Sequence, residues 1–178
     1  MKLHTIFLTI SLACLIGVSN SYAEHQYVGA KKCGSMCHKI KSKGDQWNQW
    51  LSTPHAKAFE QLKSEKSLAK AKEMGIADPT TNAKCAKCHI TGFEADASLR
   101  AKTWAAEDGI TCEACHGPGS DYMKPTAMRD REKAIAAGLV IPDKDLCISC
   151  HNPENPFHKE FVFETYWPKI AHPRPAKK

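Results

Sequence analysis

Long apolar runs are nearly absent from this 178-residue chain, whose mean hydropathy is −0.44. One such run covers residues 6–18. It is too short for a comfortable bilayer crossing, and no other segment approaches the length a spanning helix needs. An integral helical membrane protein is therefore excluded. Convincing strand alternation is also missing, which argues against a sandwich or barrel. What is left is a pattern of short helices and loops.

Cysteine, in contrast, is plentiful, and its placement is highly ordered. Eight of the nine cysteines fall in four pairs, each closed by a histidine. They read Cys33-Gly-Ser-Met-Cys37-His38, Cys85-Ala-Lys-Cys88-His89, Cys112-Glu-Ala-Cys115-His116 and Cys147-Ile-Ser-Cys150-His151. Three have the C-x-x-C-H spacing of covalent c-type haem attachment; the first has one extra residue between its thiols. Two thiols add to the two vinyl groups of a porphyrin, and the adjacent imidazole lies under the iron as an axial ligand. Structural zinc sites also use close cysteine pairs but seldom put a histidine directly after each second cysteine. Disulfides between cysteines three apart are strained and give the histidines no role. The pattern thus predicts four covalently attached haem c groups.

The first 23 residues read as an export signal: Lys2 at the charged start, the apolar run, and small residues ending at Ala23. Cys14 is the unpaired cysteine, and membrane association is expected only if it is lipidated; Ser11 stands where a lipoprotein signal prefers leucine. Residues 24–178 are expected to form a single domain, placed in the periplasm or outside the cell, where haems of this type are attached. Four haems shared among so few residues must pack against one another and form the core. The expected fold is mostly α with long loops, a small multihaem cytochrome c fold. The formal charge of +6 does not point to nucleic acid. With each haem adding about −1 when ferric and −2 when ferrous, the mature holoprotein lies near +1 oxidised and −3 reduced.

Along the chain, residues 45–51 open an amphipathic helix carrying Trp47 and Trp50, which suit packing against porphyrin faces. Thr53-Pro54 starts another, expected to run through Met74 and to end at Gly75. Residues 98–106 and 129–137 read as further short helices, and 117–120 (Gly-Pro-Gly-Ser) as a tight turn. Residues 173–178 form a basic tail. Outside the motifs and the signal stand His25, His55, His158 and His172, four spare imidazoles for four irons. Met74, Met123 and Met128 are weaker candidate ligands.

Tyr27-Val-Gly-Ala-Lys-Lys-Cys33, Trp50 with His55-Ala-Lys-Ala58, Cys112-Glu-Ala-Cys-His-Gly-Pro-Gly-Ser120 and Tyr166-Trp-Pro-Lys-Ile-Ala-His172 together resemble the cytochrome c-554 family of multihaem cytochromes. The resemblance extends over residues 27–172. It implies closely spaced haems that pass electrons between redox partners, with His55 and His172 as distal ligands. Family members often carry a histidine just after the Gly-Pro-Gly-Ser turn, where this chain has Asp121-Tyr122. The ligand that histidine would supply must come from His25 or His158, or be absent.

Three functions compete. An electron carrier in a respiratory chain, which is no enzyme, needs only closed coordination and redox protein partners. An enzyme reducing a small nitrogen-oxide ligand needs one open iron and nearby proton donors, for which Asp121, Tyr122 and Glu113 stand beside the third motif. A subunit of an extracellular conducting filament, or another homo-oligomer, would use His25 on a neighbouring copy.

Overall fold

The computed structural model describes residues 25–34 and 38–172. The expected export signal with Cys14, the basic tail, and Cys37 lie outside the described residues. Among those described there is no strand, only an isolated parallel bridge between Tyr27 and Arg100. The architecture is mostly α with long loops, as the sequence predicts.

The helices are short because the chain interrupts them. Helix α1 (Ala30–Gly34) enters the first motif, and α2 (Gln46–Leu51) follows Asp45, whose φ is +48°. Trp47 and Trp50 of α2 pack with ring centres 5.0 Å apart. A Cβ added at Gly34 would fall 2.1 Å from the Trp47 ring, so glycine permits the close crossing of α1 and α2.

The long helix expected from Pro54 to Met74 is instead three pieces. Pro54 opens a 3-10 turn (Pro54–Lys57), then come α3 (Ala58–Leu62) and α4 (Glu65–Glu73). The break at Lys63-Ser64 has a local cause: the Ser64 hydroxyl accepts from the Ser67 N–H and caps α4. Thr53 is not a side-chain cap, since its hydroxyl donates to the Trp50 carbonyl at 2.7 Å. The stop at Gly75 (φ +68°) stands.

Then follow α5 (Ala83–Ala86), α6 (Cys112–His116), α7 (Pro125–Met128), α8 (Arg131–Ala136), α9 (Lys144–Ile148) and α10 (Phe163–Ile170). The helix expected over 98–106 is reduced to 3-10 turns at Ala97–Leu99 and Ala106–Asp108. The connecting loop is held instead by Arg100. Its Nε donates to the Gly92 carbonyl at 3.0 Å, its guanidinium also reaches the Phe93 and Ala95 carbonyls, and it stacks over Trp104.

The buried side-chain core is small: Phe59, Leu62, Ala86 and Ile90, with Cys85, Phe93, Trp104 and Ala106 against it. It joins α3 to α5 and so places the second cysteine pair. Leu51, Leu68, Ile135, Val140, Ile141, Ile148, Val162 and Tyr166 are all exposed. That is much apolar surface for a chain with so little core.

Candidate haem sites

Each complete described motif begins on a capped helical turn. Asn82, Thr111 and Asp143 accept backbone N–H bonds at the starts of α5, α6 and α9. A helical turn brings cysteines three apart onto neighbouring positions of one face and projects the following histidine beside them. The caps therefore fix where each attachment face begins.

The motif histidines are oriented by their Nδ1 atoms. His89 Nδ1 lies 2.7 Å from the Ala58 carbonyl, and His116 Nδ1 lies 3.1 Å from that of Val140. His38 Nδ1 stands 3.3 Å from Gln46 Oε1. A carbonyl accepts only from Nδ1–H, so His89 and His116 present the Nε2 lone pair outward, the arrangement of a ligating histidine with its outer partner in place.

The spare histidines meet the motif histidines in two pairs. His55 and His151 have ring centres 6.1 Å apart with planes at 66°. His116 and His172 are 5.9 Å apart at 46°. A metal–imidazole bond spans about 2.0–2.1 Å and the nitrogen lies about 1.1 Å from its ring centre, so two rings sharing a metal from opposite sides have centres roughly 6.2–6.4 Å apart. The observed separations match that requirement to within a few tenths of an ångström. Burial lowers the pKa of His55 and of His116. Desolvation by the surrounding chain does the same for His151 and His172, assisted by His158 at the former and by His116 and His38 at the latter. All four imidazoles are thereby biased to the neutral form that binds a metal.

Among the described residues, no three or more His, Cys, Asp or Glu side chains gather as a protein-only metal cage would. Pairs suffice where a porphyrin supplies the equatorial donors and the protein only the axial ones. A cavity of about 260 Å³ opens beside Cys85, Cys88 and His89, walled by Leu62, Ala71, Met74 and Phe157. The donor set and this apolar wall fit haem.

The seven described motif cysteines are free thiols, and they touch across motifs. Cys33 and Cys112 lie near enough to shift each other's ionisation, and so do Cys88 and Cys150. In each pair one thiol is held low by its partner: Cys112 by Cys33, and Cys150, down to about 6, by Cys88. Burial raises Cys115 to about 11, with Cys147 as its nearest further influence. The first motif thus neighbours the third, the third the fourth, and the fourth the second.

Of the remaining spare histidines, His25 bonds Asp121 through Nδ1 at 2.8 Å, and His158 is exposed near His151. Neither faces His38 or His89 at the separation of the two pairs among the described residues. Met74 lines the cavity by the second motif, while Met123 and Met128 are exposed.

Sequence reasoning gave Glu113 no structural role. It is 2% exposed, and its carboxylate accepts the backbone N–H groups of Val28, Gly29 and Gly119 at 2.7–2.8 Å. This clamp ties the segment before the first motif to the turn after the third. No local signal marks it, because an acid in the first turn of a helix ordinarily reads as solvated.

Helical turns presenting paired thiols and outward imidazoles, with further imidazoles facing two of them, define a small helical c-type cytochrome. A family model described as cytochrome c554 and c-prime matches residues 32–117. The chain is also 30% identical over 145 residues to cytochrome c-554 of Nitrosomonas europaea. That match covers 72% of this chain, which spans 59% of the relative's length. No solved structure matches. The chain belongs to the cytochrome c-554 family.

Proposed function

We propose that the protein is an exported electron carrier with four covalent haem c groups, passing electrons between redox protein partners of a respiratory chain in the periplasm or outside the cell. The carrying observation is the pair of facing imidazole sets, His55 with His151 and His116 with His172, at the separation one metal requires. Haem c supplies one-electron redox chemistry when bound.

The chain's own residues do the rest. Cys33 and Cys37, Cys85 and Cys88, Cys112 and Cys115, and Cys147 and Cys150 anchor the groups. His38, His89, His116 and His151 are the proximal ligands; His55 and His172, with His25 and His158, supply the distal ones. No described helix is long and apolar enough to cross a membrane.

The acids beside the third motif favour a carrier over an enzyme. Glu113 is occupied by three N–H groups, the Tyr122 hydroxyl donates to the Gly117 carbonyl at 2.7 Å, and Asp121 is shared by His25 and Lys124. Burial also raises the Tyr122 pKa, making it a poor proton source.

The test is the intact mass of the exported protein together with carbon monoxide binding. Four haem masses above the processed polypeptide, and no rapid reaction of the ferrous protein with carbon monoxide, are expected. A three-haem mass would remove Cys33 and Cys37 as an attachment pair. Stoichiometric carbon monoxide binding at one haem of the monomer would transfer support to the enzyme.

A further inference from the structure

We propose that Phe161 is a positioning residue for the fourth motif. Stacked flat on the His151 ring, it fixes the plane of that imidazole, and with it the angle at which His55 and His151 meet one iron. The proposal rests on the reading of these two histidines as an axial pair and deepens it.

His151 is the exception among the motif histidines. Carbonyls stand at Nδ1 of His89 and His116, and Gln46 stands at that of His38. Among the described residues it is a phenyl ring, not a hydrogen-bond acceptor, that meets His151. Phe161 lies on the imidazole with ring centres 4.7 Å apart and planes only 16° apart. Tyr166 backs Phe161 in turn, at 5.4 Å and 11°, and Lys169 Nζ stands over the Tyr166 ring, 4.7 Å from its centre. Tyr166 and Lys169 belong to α10, and the Ala171 carbonyl just past that helix accepts from Gln49 Nε2 of α2 at 3.0 Å. The stack is thus carried by an element tied to another part of the fold.

The backbone around His151 is already fixed. Its N–H donates to the Cys147 carbonyl at 3.0 Å, and the Asn152 side-chain amide donates to the Ile148 and Ser149 carbonyls at 3.0 and 2.9 Å. What remains is rotation of the imidazole about its Cβ–Cγ bond. Turning the ring would drive one of its edges into the phenyl face, because near-parallel rings at this separation leave no gap between them. A hydrogen bond at Nδ1 orients a ligating ring and also raises its basicity. A stack orients it through its whole face and leaves the basicity alone.

The consequence falls on the iron. His55 and His151 stand with planes at 66°, and His116 and His172 at 46°. The more nearly crossed two axial rings are, the closer in energy are the iron's two π-type d orbitals. The largest g value of the ferric low-spin signal rises accordingly. The same planes direct the half-filled d orbital across the porphyrin, and so select the edge through which an electron passes. A ring free to turn would spread over many angles. Phe161 holds one of the two planes.

The experiment uses the holoprotein and four variants, read by intact mass and by electron paramagnetic resonance of the ferric state. Phe161→Leu keeps apolar bulk without a flat face, and Phe161→Tyr keeps the face. Tyr166→Leu removes the backing ring, and His55→Met marks the signal of this iron. Phe161→Leu should keep four haems, broaden one low-spin signal and move its largest g value downward, with the other signals unmoved. Phe161→Tyr should keep the wild-type signal. Tyr166→Leu, at an exposed ring, should broaden the same signal to a smaller extent, and an unmoved spectrum there overturns the proposal if Phe161→Leu does not fold. Unmoved g values in a four-haem Phe161→Leu protein, an equal change in Phe161→Tyr, or a shift in a signal that His55→Met leaves alone would each overturn it. A His55→Met protein with every low-spin signal intact would instead remove the axial pair itself, and this proposal with it.

Discussion

Replacing Glu113 tests whether the clamp between the first and third motifs holds the fold. Its Oε1 accepts from Val28 at 2.8 Å and Gly119 at 2.7 Å, and its Oε2 from Gly29 at 2.8 Å. Glu113→Gln keeps one oxygen, which can serve Val28 and Gly119, but turns an amide NH2 toward the Gly29 N–H. One buried donor then lacks an acceptor, at a cost of about 1–3 kcal/mol. For a protein of this size that is roughly 2–12 °C of Tm. Glu113→Ala strands all three donors, at about 1–3 kcal/mol each, and should cost roughly 3–9 kcal/mol. Against a total of about 5–15 kcal/mol, this is a large fraction of the stability.

The pH dependence of the wild type has a definite sign. Burial raises the Glu113 pKa more than its three donors lower it. The native state therefore keeps this proton to higher pH than the unfolded chain does. Its contribution is complete below the ordinary carboxylate pKa and declines as pH rises through the raised native value. Guanidinium unfolding of the holoproteins, followed by far-ultraviolet circular dichroism across that range, measures both effects. An alanine variant no weaker than the glutamine variant, or a glutamine variant equal to wild type, would refute the reasoning.

The other predictions concern ligation and backbone. His172→Met should turn one bis-histidine low-spin signal into a mixed pair and raise one potential; unchanged resonance spectra and titrations would remove His172 from the ligand set. Gly29→Ala should cost more than about 2 kcal/mol, because its φ is +86° and the new Cβ would lie 2.4 Å from the Thr103 carbonyl oxygen. Gly75→Ala, at φ +68° with nothing within 4 Å of its Cβ, should cost only the backbone strain of about 1–2 kcal/mol, and chemical denaturation of the two variants checks the contrast.

The chemistry was legible in the sequence because covalent attachment demands contiguous residues. Two thiols and an imidazole must lie within one turn of backbone, so the motif survives as a string. Distal ligands carry no such constraint. His55 and His172 are candidates for that role through resemblance to a family, and only the fold brings their rings near those of His151 and His116, residues 96 and 56 positions away. Helix ends were the least legible feature. Apolar periodicity continues across Lys63-Ser64, while the break depends on a serine hydroxyl choosing the Ser67 N–H. The loop at 98–106 reads as helical, but Arg100 gives its donors to the carbonyls of Gly92, Phe93 and Ala95, earlier in the same loop, and the segment stays open.

The spatial order of the sites explains why so small a side-chain core is enough. Sequence order would put the first and second motifs side by side, yet the Cys33–Cys112 and Cys88–Cys150 contacts interleave them, so each early motif is backed by a late one. The Glu113 clamp makes one of these long-range connections with three backbone bonds, and the Gln26–Ser120 bonds reinforce it. Phe59, Leu62, Ala86 and Ile90 serve the other end by fixing α3 against α5. Neither end depends on a continuous apolar core between them. The buried contacts of the chain therefore lie towards the two ends of the row of motifs. A carrier is suited by that distribution, because the geometry between neighbouring sites is what the fold must hold constant.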